Sequence, residues 1–217
     1  MATNGVLGSW DAATGTLGRS CAAGEPALRI LARSSQGRKG DALRKCRFGV
    51  ACTLDNFIAR INHGIDWILS GEEAASAMAD FWKSIDTVIV GRKTYELTLK
   101  SGKPWPSFPG VKNYVCSRTL RESPDNHVQI ISEDAAGFVR KLKSERGKDI
   151  FVMGGGELAK SLLEANVIDE IRLSIHPILL GSGIPLFLPM NHQIDLELSE
   201  SKIFKNGCVC VTYRVRR

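Results

Sequence analysis

Apolar positions are unevenly spread along this chain of 217 residues. Over residues 1–45 they are scattered among Gly, Ala, Ser, Thr and Arg, with no sustained period and no large cluster. Such a segment buries too little surface to offset its ordering entropy. It is expected to be a disordered or non-native N-terminal extension, with one domain over 46–217. From Arg47 onward the pattern is orderly. RFGVACT (47–53) reads as a buried strand and LDNFIARINHGIDW (54–67) as an irregular connection, with Asn56 and Gly64 best able to take positive φ. EEAASAMADFWKSI (72–85) spaces Ala75, Met78, Phe81, Trp82 and Ile85 as one face of a helix. DTVIVG (86–91) is a short strand, RKTYELTLK (92–100) a short helix, and SGKPWPSFPG (101–110) a proline-held loop.

Further strands are expected at 113–117, 127–132 and 149–153, with helices near 133–145 and 155–166. Strands alternating with helices imply crossover units and a largely parallel sheet. The end differs, because EIRLSIHPILL and CVCVTYRVR are long strand patterns with no helix between them. The expected fold is therefore α/β, a mostly parallel central sheet ending in an antiparallel C-terminal pair.

Charge changes this picture little. The net charge is +6, but residues 1–45 hold seven of the 29 Lys/Arg and only three of the 23 Asp/Glu. Beyond them the balance is close to neutral, so a nucleic-acid partner is not expected. No apolar run is long enough to span a membrane. The six cysteines show neither a CxxC pair nor metal-ligand spacing with the four histidines, as expected of buried thiols in a reducing cytoplasm and of a chain without a metal site.

Chemistry concentrates where strands end. Gly154-Gly155-Gly156-Glu157-Leu158-Ala159 fits the glycine fingerprint that brings a phosphate to a helix N-terminus. Its late position, followed only by β-rich sequence, argues against a Rossmann domain, where that turn comes first. In VGRKTYE (90–96), Gly91 frees a strand end, Arg92 and Lys93 supply charge, and Thr94 supplies a hydroxyl. A basic helix start opposes the helix dipole, a conflict that a bound anion would remove. CSRTL (116–120) repeats the arrangement with Ser117 and Arg118. Three such strand ends suit one diphosphate-bearing ligand along the carboxyl edge of a sheet.

Together with VACTLDNFIA, DW at 66–67, the stretch VMGGGELAKSLLEANVIDEIRLSIHPILLGSGIPLF and the closing TYRVRR, these motifs resemble the dihydrofolate reductase-like superfamily. Within it, the chain is most similar to stand-alone relatives of the reductase domain of the riboflavin-biosynthesis deaminase–reductase. The resemblance implies the three-layer fold of that superfamily and an NADPH-dependent reductase. Ala51 and Cys52 would flank the nicotinamide. Gly91, Arg92, Lys93 and Thr94 would hold cofactor phosphates, and Ser117 with Arg118 the adenosine 2′-phosphate. Gly154, Gly155, Gly156 and the adjoining Glu157 would face the pyrophosphate or the nicotinamide end.

The implied chemistry is hydride transfer to a C=N or C=O carbon of a small heterocyclic or carbonyl/imine substrate, such as 5-amino-6-(5-phosphoribosylamino)uracil in riboflavin biosynthesis. The proton would come from water or a carboxylate, Asp55 or Glu72, and Trp67 would line the substrate pocket. Asp55 also reads as a turn-former, Glu72 as a first-turn helix acid and Trp67 as core. Where the family commonly has SLDG, Thr53-Leu54-Asp55-Asn56 stands here. Alternatives are a pterin or folate reductase and a non-catalytic NADPH-binding protein. Edge strands near the C-terminus suggest a homodimer.

Overall fold

The computed structural model describes residues 44–102 and 105–217. The expectation for the N-terminal extension lies outside the described residues, except at Arg44 and Lys45. Those two are bound into the domain: Arg44 is buried, and Lys45 pairs with Glu170 at 2.8 Å.

Along the chain run β1 (Cys46–Thr53), β2 (Phe57–Ala59), α1 (Glu72–Lys83), β3 (Ile85–Gly91), α2 (Arg92–Lys100), β4 (Lys112–Cys116) and β5 (Val128–Ile131). They are followed by α3 (Ala135–Ser144), β6 (Asp149–Met153), α4 (Gly156–Glu164), β7 (Glu170–His176), β8 (Ile184–Pro185), β9 (Leu196–Ile203) and β10 (Val209–Val215). One eight-stranded sheet has the order β5-β4-β3-β6-β1-β7-β10-β9. From β5 to β7 all pairings are parallel, while β10 runs antiparallel to both β7 and β9.

Period-two alternation divides the core into the outer layers of a three-layer fold. Ile89, Ile150 and Val152 face one cluster, with Phe138, Val139 and Leu142 of α3 and Leu162 and Leu163 of α4. Their chain neighbours Val88, Val90 and Phe151 face the other, with Phe81 of α1 and Tyr95 of α2. Both faces of the parallel strands are buried, which is why those segments read as near-continuous apolar runs.

Two features depart from the sequence pattern. The connection after β1 contains β2, which pairs antiparallel with β8 in a separate two-stranded sheet. The antiparallel end gains β9, whose eight residues are all exposed and so carry no burial alternation to read.

Candidate functional site at the carboxyl edge of the sheet

Because β4, β3, β6 and β1 are adjacent and parallel, their carboxyl ends lie along one edge. This brings Ser117–Arg118, Gly91–Thr94, Gly154–Glu157 and Leu54–Asp55 into spatial succession, an order unlike their order in the chain. Gly91 is opposite Cys116, and Met153 is opposite both Val90 and Gly49. The three phosphate-type turns are thus neighbours.

The glycine turn is shaped by its contacts. Gly154 and Gly155 hold φ of 65° and 75°, a left-handed backbone that side chains rarely tolerate. A Cβ on Gly154 would sit 3.0 Å from Thr94 Oγ1, and one on Gly156 3.2 Å from the Leu186 carbonyl oxygen. The turn is wedged between the first turn of α2 and the segment after β8. Neither α2, entered through Gly91, nor α4, entered through Gly155, has a side-chain cap. By contrast α3 is capped by Asp134, which accepts from the Ala136 and Gly137 amides. Uncapped starts leave amide donors and the positive end of each dipole toward the same edge.

Cations gather there. Lys93 Nζ lies 2.8 Å from Glu157 Oε1, and Arg92 pairs with Glu96 at 3.0 Å. The Lys93 hydrogen bond and charge, with smaller contributions from Arg92 and Arg118, hold the Glu157 carboxyl below its ordinary range. An acid of this chain therefore already answers the cationic field, and the anion inferred from the basic helix start is partly its own. Arg118 is exposed on the turn after β4. Ser117 is buried, and its Oγ accepts from the amides of Leu120 (2.7 Å) and Thr119 (3.2 Å), so its hydroxyl oxygen shapes the turn.

On β1, the last residue paired with β6 is Gly49, whereas pairing with β7 continues to Thr53. Val50 to Thr53 overhang the glycine turn with no strand on that side. Ala51, half-buried, lies in this overhang, and Cys52 is fully buried within it, its thiol pushed by burial up to about 11.

The other predicted residues lie on the far side of β1. Asp55 Oδ1 accepts from Thr53 Oγ1 at 2.5 Å and from the Leu180 amide at 3.2 Å, and Oδ2 accepts from the Gly181 amide at 2.8 Å. These bonds, chiefly that from Thr53, hold its carboxyl below the usual range. Asp55 thus ties the β1 loop to residues 180–181. Its expected part as a proton donor would have to work against these fixed donors, which favour the ionised carboxylate. Glu72 is exposed at the start of α1 and its carboxylate has no hydrogen-bond or ion-pair partner among the described residues, while its neighbour Glu73 pairs with Lys205.

Trp67 is buried edge-on against the His176 ring, centroids 5.3 Å apart, and its indole Nε1–H has no partner among the described residues. His176 Nδ1 accepts from the Leu69 amide at 3.1 Å and lies 3.3 Å from Cys208 Sγ. Thr53 and His176 are opposite one another in the sheet, so this aromatic pair borders the β1 overhang. A separate cavity of about 460 Å³ lies at the amino ends of β3 and β6, beside the stacked Trp82 and Phe108 rings, and takes no part in this edge.

The sequence pattern of the RibD C-terminal domain matches residues 44–210. The chain belongs to the RibD C-terminal domain family. The uncharacterised protein YyaP of Bacillus subtilis (strain 168) is 35% identical over 180 residues, 78% of this chain and 94% of YyaP. A solved candidate riboflavin biosynthesis protein of Shewanella sp. PV-4 superposes with a TM-score of 0.70 at 23% identity, covering 80% of this chain and 99% of that one. The Thermotoga maritima diaminohydroxyphosphoribosylaminopyrimidine deaminase/5-amino-6-(5-phosphoribosylamino)uracil reductase gives 0.61 at 16% identity, over 80% of this chain and 57% of that one. This chain is thus a relative of the RibD C-terminal domain and shares its fold.

Sequence reasoning missed the part played by Pro185 and Leu186. Their carbonyls pack on Gly156, and the Leu186 amide donates to the Asn56 carbonyl at 2.8 Å, joining the glycine turn to the β1 loop. These are backbone contacts with no side-chain signature. Among the described residues no helix is long and apolar enough to cross a membrane.

Proposed function

We propose that this RibD C-terminal domain protein is an NADPH-dependent reductase acting on a small heterocyclic C=N or C=O substrate of the type reduced in riboflavin biosynthesis. The observation that carries this reading is the convergence of three strand-end turns, two left-handed glycines, two uncapped helix starts and the cations Arg92, Lys93 and Arg118 on one edge. A diphosphate needs such a surface: close backbone, free amides and positive charge. Lys93 and Thr94 would hold the diphosphate against the glycine turn, and Arg118 the 2′-phosphate. The overhanging backbone at Ala51 and Cys52 would border the nicotinamide. NADPH supplies the hydride when bound.

The chain supplies orientation and exclusion of water. The buried Trp67–His176 pair closes one side of the overhang. The Trp67 indole N–H remains available to a carbonyl or a ring nitrogen, since a buried donor without a partner is costly. With Asp55 held ionised and Glu72 exposed, the proton comes from solvent.

Titrating NADPH and NADH against intrinsic tryptophan fluorescence tests the cofactor. Tight NADPH binding with at least about tenfold preference over NADH is expected, and Arg118→Ala should abolish the preference, a loss of about 1.4 kcal/mol. Equal weak affinity for both nucleotides, or an undiminished preference in Arg118→Ala, would overturn it. Loss of NADPH absorbance across pyrimidine, pterin and quinone substrates then separates an enzyme from a cofactor-binding protein.

A further inference from the structure

Between β2 and α1 the chain crosses from the glycine turn to the end of β7. It starts where β2 pairs with β8, and the Leu69 amide near its end donates to His176 Nδ1 at 3.1 Å. Trp67 of this segment is buried, yet the aliphatic residues around it are not. Ile61, Ile65, Ile68 and Leu69 are exposed at 72%, 57%, 39% and 43%. Leu54 and Leu179, at 62% and 68%, stand at the same end of the sheet, just past β1 and β7, where the Leu54 amide donates to the Ile178 carbonyl at 3.0 Å. Such a grouping marks a binding surface rather than scattered exposure.

The polar groups at this end are already answered within the chain. Arg60 is the sole Lys or Arg of residues 54–71, and its Nε and Nη2 donate to Asp66 at 2.7 and 2.8 Å. Residues 173–201 contain no Lys or Arg. The Leu180 and Gly181 amides, the latter in a left-handed turn with φ of 71°, both donate to Asp55. Lys205, on the turn between β9 and β10, pairs with Glu73 at 3.5 Å. The cofactor side is the reverse, with uncapped helix starts beside Arg92, Lys93 and Arg118.

We propose that the substrate is an unphosphorylated heterocycle carrying an apolar substituent, with its ring beside the Trp67–His176 pair and its substituent on this aliphatic rim. The proposal rests on the reductase reading of this edge and narrows its substrate. A terminal phosphate here would lie among aliphatic groups and near the Asp55 and Asp66 carboxylates, losing hydration without gaining a cation. An apolar chain gains from the same surface by covering it.

Three probes with one ring and one five-carbon chain test this on the full protein saturated with NADPH. They are 5-amino-6-(pentylamino)uracil, 5-amino-6-(ribitylamino)uracil and 5-amino-6-(5-phosphoribitylamino)uracil, titrated against tryptophan fluorescence. The pentyl compound should bind at least about tenfold more tightly than the phosphoribityl one, and the phosphate should add no affinity over ribityl. Ile65→Ser should weaken the pentyl compound by about tenfold and keep the NADPH affinity and the melting temperature, which guards against a folding defect. Ile61→Arg, at a strongly exposed position, should tighten the phosphoribityl compound by about tenfold. Tightest binding of the phosphoribityl compound overturns the proposal, as does equal or absent binding of all three, or a pentyl affinity unchanged in Ile65→Ser. Failure of the reductase reading shows separately, as an absence of NADPH binding. A pentyl preference that persists without NADPH and is lost in Ile65→Ser would then uphold the rim alone.

Discussion

At the residue scale, Gly154 and Asp55 show how one position can be committed by geometry. Gly154 combines a φ of 65° with a Cβ position 3.0 Å from Thr94 Oγ1, whereas Gly110 has a φ of 75° and nothing within 4 Å. Both alanine variants should lose about 1–2 kcal/mol from the left-handed backbone. Only Gly154→Ala also crowds Thr94, so it should melt lower than Gly110→Ala and bind NADPH more weakly. Identical melting and affinity for the two would mean that the Thr94 contact is slack.

For Asp55 the folded carboxyl titrates below its ordinary value. Its stabilising contribution is therefore complete above about pH 3.9 and is lost as pH falls below that, through the lowered value. Asp55→Asn should reduce resistance to acid unfolding and lower the melting temperature. It should leave the pH profile of turnover between about pH 6 and 8 unchanged, since a group already ionised there does not titrate. A turnover profile that loses a limb in Asp55→Asn would restore the carboxylate as a proton donor.

At the element scale, much was legible because burial writes itself into sequence. RKTYELTLK and DIFVM match α2 and β6 end to end. RKTYELTLK is set off by Gly91 before it and Gly102 after it, and DIFVM is a continuous apolar run behind a charged residue. What was illegible depends on pairing or on backbone. β9 has no buried face, β2 and β8 are too short to show a period, and the contacts of Pro185 and Leu186 with Gly156 are made by their carbonyls. The cations were visible one by one, but their adjacency follows from the strand order. That order places residue 154 between 91 and 54 and cannot be read from the sequence.

His176 is another such case. In sequence it is a lone histidine in an apolar strand. In the fold its Nδ1 receives the Leu69 amide and anchors the Trp67 loop to β7. Burial holds its pKa below the usual value of about 6.5. Above that pH it is neutral both folded and unfolded. As pH falls below it the unfolded chain binds the proton first, so stability drops toward the lowered folded value. His176→Gln retains an acceptor for the Leu69 amide but cannot titrate. The melting temperature of this variant should vary less between about pH 5 and 7 than that of the wild type. Parallel curves would show that the pH response arises elsewhere.

At the scale of the whole molecule, the question is where the folding unit begins. Arg44 lies at the end of a segment whose composition predicts no fold, yet it is 5% exposed. Its guanidinium meets Asp86 and donates to Thr87 Oγ1 at 2.6 Å, while its Nε donates to the Lys148 carbonyl at 2.6 Å. One side chain thus joins the start of β3 to the entry of β6, two adjacent central strands. An arginine before the first apolar run gives no hint of this, because Asp86 and Lys148 are far away in sequence. Removing the arginine alone leaves Asp86 without its cation, at about 3 kcal/mol for a partly buried pair. For a domain of this size that corresponds to roughly 10 °C in melting temperature. A chain begun at Asp41 should therefore melt close to the full-length protein, and one begun at Lys45, which keeps all of β1, about 10 °C lower. Full-length Arg44→Ala should reproduce most of that loss, which separates the guanidinium from the mere shortening of the chain. If the chains begun at 41 and 45 melt together, the domain starts at β1 and Arg44 is a dispensable clasp.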